Sequence, residues 1–546
     1  MSKNKLRIIP LGGLGEVGKN MMVYEYGKNI LIVDAGLMFP DNEMLGIDYI
    51  IPDFEYLKKN KDLIRGMVIT HGHMDHWGAI GHVLEELNIP LYATPLTRGL
   101  IEVNLSEKGL LEKTTINTVH AGESATIGPF EVEFFHVCHS IPDSVGLGIT
   151  CPDGLIVHTG DYKFDPTPVD GWPTDFSKLA EFSGRGVLAL LADSTNADKL
   201  GWTPSEMVIN DSLDKVFRNA PGRIIVASFA SLVSRMQQVI DAAEHHGRKI
   251  AFVGRSMKQN SKMAKKLGYL EIPSDLEVGI EEALNMKPKD VVLMATGSQG
   301  EPYSIMGRLA RGTNKQFELI KDDTIVLSSH AIPGNEETVF KTINSLFRKG
   351  ANVLYEPIAG GVHVSGHANQ DEMKLMLNMV NPKYLIPIHG ELRHLKQHAF
   401  LAEESGFPME NVLVIENGQI IEFEDDKLQI KDRIPGSYVF VDGSRVGEIG
   451  PSVVREREQL SQDGVVLISM VLDRNGKLHE EVEIISRGFV YKHDEDDLIE
   501  QTRKKIEEIV GKTQGDLHNN LVQSIRSFLY SKTKKRPVVL ATINYL

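Results

Sequence analysis

The chain has 546 residues, 42% of them hydrophobic and 24% charged, with a formal net charge of -15. That length exceeds the about 250–300 residues one core sustains, so two or three domains are expected, while the ordinary composition excludes a disordered chain and the acidic balance excludes a polyanion binder working by bulk attraction. Two cysteines, Cys138 and Cys151, exclude a disulfide framework, and the absence of a signal-peptide core or an apolar run of about 18 residues predicts a cytoplasmic protein with no membrane contact.

From residue 1 to about 196, short apolar runs alternate with Gly- and Asp-rich turns: LRIIPL, MMVYEY, NILIVD, GMVIT, FEVEFFHV, GLIVHTG and VLALLAD read as strands. The amphipathic stretches WGAIGHVLEEL and TRGLIEVNLSEKGLL read as helices, which makes this a layered α/β domain. Residues 197–358 change to a strand-helix repeat (RIIVASF, RKIAFVG, DVVLMATGS, DTIVLSS), the pattern of a parallel sheet, and read as an insertion. The first domain then resumes over 359–424 with the helix DEMKLMLNMV and the strand YLIPIHG. A linker is expected over 425–460 and a small α+β domain over 461–546.

Two features invite a ligand. Gly13-Leu14-Gly15-Glu16-Val17-Gly18 fits the dinucleotide fingerprint GxGxxG, with Asp34 where a ribose-binding acid would sit. A dinucleotide site needs a long helix next, however, and MMVYEYGKNILIVD reads as strand, turn and strand, so that reading fails. Between Gly222 and Lys266, nine basic residues face two acidic ones. Arg223, Arg235, Arg255 and Lys258 are candidates for neutralising a polyanion backbone, and Lys262, Lys265 and Lys266 for a solvated helix face.

The stretch VITHGHMDHWGAIGH is chemically selective. His71, His73, Asp75 and His76 follow a strand in a glycine-containing loop, where imidazole and carboxylate converge on ions such as Zn²⁺ or Mn²⁺. Two-metal hydrolases hold their ions ~3.5–4 Å apart and need further ligands from elsewhere in the fold. His139, Asp161 and His389 each follow an apolar strand, and an aspartate bridges two ions with its two oxygens. His82 reads as a structural histidine on the next helix, and Trp77 as packing beneath the loop.

Taken in order, THGHMDH, HSIPDS, HTGDYKFD, LADSTNA, HVSGHA and IPIHGE resemble the motifs of the metallo-β-lactamase superfamily in its β-CASP branch, most nearly the ribonuclease J family. The resemblance implies an αββα sandwich with an inserted β-CASP domain and a C-terminal α+β domain. It implies one metal on His71, His73, His139 and Asp161 and a second on Asp75, His76, Asp161 and His389. Asp34 is implied as a supporting acid and Asp193 as the acid orienting a metal-binding histidine. His363, Val364, Ser365, Gly366 and His367 are implied to hold a phosphate, His367 protonating the leaving oxygen, with Asp75 and Asp193 beside the chemistry. Gly46, Asp48 and Asp442 are implied ligands of a structural cation, Ca²⁺ being expected. His389 stands where several DNA-processing relatives carry valine.

The glycine- and hydroxyl-bearing turns ASFAS (with Ser228 and Ser231), GRSM, TGSQGEP and PGN suit phosphate contacts by backbone N–H groups. The resemblance thus implies a two-metal hydrolase of single-stranded RNA, 5'-to-3' and favouring 5'-monophosphate ends, with added endonuclease activity. It implies a homodimer or homotetramer, with a paralogue subunit or an RNA helicase as partner. The alternatives are another hydrolase on the same core, acting on a thioester, a lactam or DNA, and a non-catalytic scaffold; all seven ligand positions being intact speaks for an active enzyme.

Overall fold

The computed structural model describes residues 4–41, 43–299, 301, 304–331, 335–356, 358–424, 427–489, 492–512 and 516–546, so Gly300 and Pro302 of TGSQGEP and Pro333 and Gly334 of PGN lie outside the described residues. The chain divides into two compact units, Met1–Phe39 with Tyr49–Val439, and Pro40–Asp48 with Phe440–Leu546.

In the first unit an eight-stranded sheet faces a six-stranded one. Leu6, Ile8, Tyr24 and Leu31 of the larger sheet pack with Phe130, Val132, Phe134, Leu147 and Ile156 of the smaller in one buried core. Strands with period-two alternation bury such a face at roughly 25 cal/mol per Å² of apolar surface. The smaller sheet is buried on its other face as well. There Phe135, Val157, Leu190 and Leu385 meet Leu179 and Phe182 of the helix Phe176–Arg185, Met373 and Met376 of Gln370–Val380, and Leu401 of Leu392–Glu404.

Direction matters for the site. Asn29–Val33 runs parallel to Ile64–Val68, and Gly154–His158, Val187–Asp193 and Tyr384–Ile388 run parallel to one another. Phe130–His136 is antiparallel to Val145–Cys151, itself antiparallel to Gly154–His158, so it points the same way as the latter. The Val145 N–H donates to Thr70 O at 3.0 Å, joining the start of one loop to the other sheet.

The insertion is a parallel sheet in the order Lys249–Val253, Val291–Ala295, Ile224–Ala227, Thr324–Leu327, Asn352–Leu354. It buries a core of its own, including Ile225, Leu293, Ile325 and Leu346. The segment expected as a linker is not bare chain. Lys427–Lys431 pairs antiparallel with Ile420–Glu424 and extends the larger sheet, and Pro451–Asp463 is a helix with proline in its first turn, where the missing N–H costs nothing.

The second unit carries a sheet in the order Glu483–Arg487, Val465–Leu472, Val538–Tyr545 with the helices Lys492–Lys512 and Leu517–Thr533. Val466, Ile468, Met470, Ile506, Leu521 and Leu529 form its core. Strand, strand, helix, helix, strand is the expected order. Among the described residues no helix is long and apolar enough to cross a membrane.

Candidate metal centre

GxGxxG closes on itself and is followed by the strands Met21–Tyr26 and Asn29–Val33. Glu16 Oε1 accepts from Gly13 N at 3.1 Å and Asn417 Nδ2 at 2.8 Å and pairs with the buried Lys19 Nζ at 2.6 Å. The turn then serves the metal loop. Asn20 N donates to Asp75 O at 3.0 Å, Ala35 N to His76 O at 2.7 Å and Leu37 N to Met74 O at 3.0 Å. Gly36 is required there, because a Cβ would come within 1.6 Å of Asp75 O. Trp77 is buried beneath the loop with its indole N–H on Gly72 O at 2.9 Å, and His82 is buried against Tyr49 OH at 2.8 Å.

The two expected quartets of ligand atoms assemble, His71, His73, His139 with Asp161, and Asp75, His76, His389 with the same Asp161, and a third set, Asp161, Asp193, His367 and His389, overlaps the second. Asp161 Oδ2 lies 3.6 Å from His71 Nε2, 3.8 Å from His139 Nε2 and 3.2 Å from His76 Nε2, while Oδ1 lies 2.7 Å from His389 Nδ1. His389 Nε2 is 3.4 Å from Asp75 Oδ2. His71 Nε2 and His389 Nε2 are buried without a hydrogen-bond partner among the described residues. Orphaned buried nitrogens are costly in a native fold, and a metal ion satisfies them, so the residues fit a pair of ions sharing Asp161.

Electrostatics divide the cluster. Burial pushes His71 and His139 far below the usual histidine value and His73 down to about 4, which keeps them neutral, the form that binds metal. Burial opposes charge on His76 and His389 too, but Asp161 with Asp34 outweighs it for His76, and Asp161 with Asp75 pushes His389 up to about 10. Asp161 and Asp75 are held below the usual carboxylate value: burial opposes this, and His389 and His76 prevail.

The supports are ordered by hydrogen bonds. Asp34 Oδ2 takes His76 Nδ1 at 2.7 Å and Asp34 Oδ1 takes Thr70 N at 2.8 Å, which leaves His76 Nε2 facing the cluster. Gly366 O takes His139 Nδ1 at 2.7 Å, and a Cβ on Gly366 would stand 2.7 Å from that ring. Asp34 and His389 have φ of +65° and +51°, a strained region for such residues, kept where the surroundings fix them. Asp193, expected to orient a metal-binding histidine, gives its Oδ2 to His367 Nδ1 at 2.8 Å instead; His389 Nδ1 is 3.8 Å from Oδ1, which accepts from Thr195.

The phosphate loop splits. His367 and Gly366 reach the cluster, His367 Nδ1 being 3.9 Å from Asp161 Oδ2. Ser365 Oγ accepts from Asn196 Nδ2 at 2.9 Å, and Val364 is buried. His363 turns away, its ring 4.4 Å edge-on to His330. Ser228 is fully buried with its hydroxyl on Phe229 O, and Ser231 is half-buried in the turn before the helix Val233–His245.

The basic run divides, with Arg223, Arg235 and Arg248 buried and Arg255, Lys258, Lys262, Lys265 and Lys266 exposed. Arg223 pairs with Asp323, Arg235 is buried against Glu206, and Arg248 donates to three backbone carbonyls. Of the four backbone candidates, Arg223 and Arg235 are thus bound inside the insertion, and exposed Arg255 pairs with Glu107.

In the second unit, the expected cation ligands already have partners. Arg457 Nη1 donates to Gly46 O and Leu45 O, each at 3.1 Å, and Nη2 to Asp442 Oδ2 at 2.8 Å, while Asp48 Oδ2 accepts from Gly443 N at 2.7 Å. A guanidinium thus occupies Gly46 O and Asp442 Oδ2 and a backbone N–H occupies Asp48 Oδ2, an arrangement that competes with an ion for these oxygens.

Sequence reasoning missed two residues here. Asn20 Nδ2 lies 3.1 Å from both Asp75 O and His76 Nε2. Buried Glu372 accepts Phe164 N, Thr203 N and Asn369 N at 2.7, 2.7 and 2.9 Å, binding three loops around the site. The only signal was their type, a small amide before a strand and an acid in the first turn of a helix.

Comparison with known proteins agrees with this geometry. Family models described as metallo-beta-lactamase superfamily, ribonuclease J beta-CASP domain, Zn-dependent metallo-hydrolase RNA specificity domain and ribonuclease J C-terminal domain match residues 14–200, 221–346, 356–414 and 452–545. The chain is 41% identical to ribonuclease J2 of Bacillus subtilis, covering 98% of each. It is 40% identical to ribonuclease J 1 of Streptococcus pyogenes, covering 100% of this chain and 98% of that one. With ribonuclease J of Thermus thermophilus the identity is 39%, over 99% and 95%. A solved structure of a protein of unknown function from Enterococcus faecalis aligns with a TM-score of 0.54 and 16% identity, covering 77% of this chain and all of that one, a likeness of fold alone. With RNA-specificity and metallo-hydrolase models on its sandwich and full-length relatives at this identity, the chain belongs to the ribonuclease J family of hydrolytic, metal-dependent ribonucleases.

Proposed function

We propose that this ribonuclease degrades single-stranded RNA from the 5' end, favours a 5'-monophosphate and cuts internally at the same site, working in RNA maturation and decay in the cytoplasm. The observation that carries this is the pair of quartets sharing Asp161, with His367 poised beside them. His71, His73, His139 and Asp161 would hold one ion and Asp75, His76, Asp161 and His389 the other, Zn²⁺ or Mn²⁺ both suiting the donors. Once bound, the ions supply water activation near neutral pH and neutralise charge developing on the phosphate.

The side chains do the rest. Asp193 fixes His367 through Nδ1, so Nε2 is the atom left to hold a proton at the leaving oxygen. The His367 carbonyl is gripped by Thr203 Oγ1 at 2.7 Å and Asn196 Nδ2 at 3.2 Å, which keeps the loop in register with the ligands. Ser365 and Gly366 complete the phosphate seat.

A homodimer or homotetramer is proposed on the family pattern, with a paralogue subunit or helicase as further partner. Digestion of end-labelled RNAs bearing 5'-monophosphate, 5'-triphosphate or 5'-hydroxyl ends tests the reading. Fastest release of mononucleotides from the monophosphate end is expected, and equal rates on all three ends, or release from the 3' end, would reject it.

A further inference from the structure

Two of the chain's three tryptophans stand exposed and have no part in the chemistry above. Trp172, 43% exposed, lies flat on buried His136, with centroids 4.0 Å apart and planes at 10°. Its loop is laced to the strand end that carries His139: Cys138 N donates to Thr174 Oγ1 at 2.9 Å, and His136 Nδ1 lies 3.0 Å from Pro173 O. Trp172, His136 and His139 line one cleft together with Lys163 and Glu206. Glu206 Oε1 is buried there, 3.6 Å from Lys163 Nζ.

Trp202, 51% exposed, precedes Thr203, the residue that grips the His367 carbonyl. Its loop is pinned to that of Trp172, since Glu206 N donates to Asp165 Oδ2 at 2.9 Å and the Ser205 and Thr167 hydroxyls meet at 2.8 Å. Trp172 therefore shares a cleft with the ligand His139, and Trp202 adjoins in sequence the residue that holds the His367 carbonyl.

We propose that Trp172 and Trp202 form a platform on which unpaired bases of the RNA stack beside the phosphate being cut. The proposal rests on the ribonuclease reading and adds the groups that grip the bases. An aromatic face accepts any base, so the platform is indifferent to sequence, yet it requires bases free of a duplex. His136 holds the Trp172 ring in place before RNA arrives, which lowers the ordering cost of binding.

The test uses the full-length enzyme and its Trp172→Ala, Trp202→Ala, Trp172→Tyr and Trp202→Tyr variants on an oligoribonucleotide and on the same backbone with abasic residues. Each alanine variant is expected to raise KM on the base-bearing RNA about 5- to 100-fold with kcat nearly unchanged. The tyrosine variants should recover most of that loss, and no variant should differ from the parent on abasic RNA. Equal KM for parent and alanine variants on base-bearing RNA overturns the platform, as does an equal loss on both substrates. Parent enzyme that cuts neither RNA would instead overturn the ribonuclease reading.

Discussion

The His/Asp cluster and the Asp48–Asp442 cradle both look like cation sites in sequence, and they differ in what already fills them. In the cluster, buried ring nitrogens of His71 and His389 have no hydrogen-bond partner among the described residues, and the ion pairs of Asp161 are with the histidines His71, His76, His139, His367 and His389. In the cradle, Arg457 brings a fixed positive charge to Gly46 O and Asp442. A run of metal-binding residue types is therefore half a prediction. Whether the fold also delivers a side-chain cation is the other half.

Breaking the shared bridge should have the largest effect. Asp161→Ala removes the one residue common to both quartets, so RNA cleavage should fall by about 10³-fold or more, with loss of at least one ion per chain. Metal retention at the parent level would argue that the quartets are independent of it. Next comes His367→Ala, expected to lower kcat about 10²- to 10⁴-fold while bound metal stays constant; a loss of metal as well would make His367 a ligand. Asp34→Asn should weaken metal binding about 10- to 100-fold by freeing the His76 ring, measured by competition with a chelator.

The pH response separates the two sites. Without metal, His389 titrates near 10, so its proton stays on at pH 8 and must leave when an ion arrives. Metal affinity should therefore rise with pH below about 10, and calorimetry in two buffers of different ionisation heat should register released protons. Uptake without proton release would contradict the assigned ligand. The smallest effect belongs to the cradle: the half-exposed Arg457–Asp442 pair is worth about 1 kcal/mol. Arg457→Ala should destabilise the second unit by that much, whereas Ca²⁺ or a chelator should leave the melting of the parent unit unmoved; a Ca²⁺-dependent rise would show that an ion binds there after all.

Much of this was legible because the ligands sit at chain positions with strong local signals. His71 to His76 are contiguous, and His139, Asp161 and His389 each end a buried strand whose apolar run is plain in sequence. Val145–Cys151 was harder to read, since Gly146 and Gly148 dilute its strand signal; they leave room for the rings of Phe135 and Phe182. The pairing of Arg223, Arg235 and Arg248 was hidden because Asp323, Glu206 and the accepting carbonyls are remote in sequence or carry no residue signal. Partner choice for Asp193, His367 Nδ1 at 2.8 Å over His389 Nδ1 at 3.8 Å, is set by side-chain placement, which no spacing rule encodes.

Metal content measured beside activity tests the central claim most directly. The purified full-length enzyme, loaded and dialysed, should carry two transition-metal ions per chain and cleave RNA, while Asp161→Ala should be deficient in both. An enzyme that cleaves RNA undiminished with no bound transition metal would contradict the account.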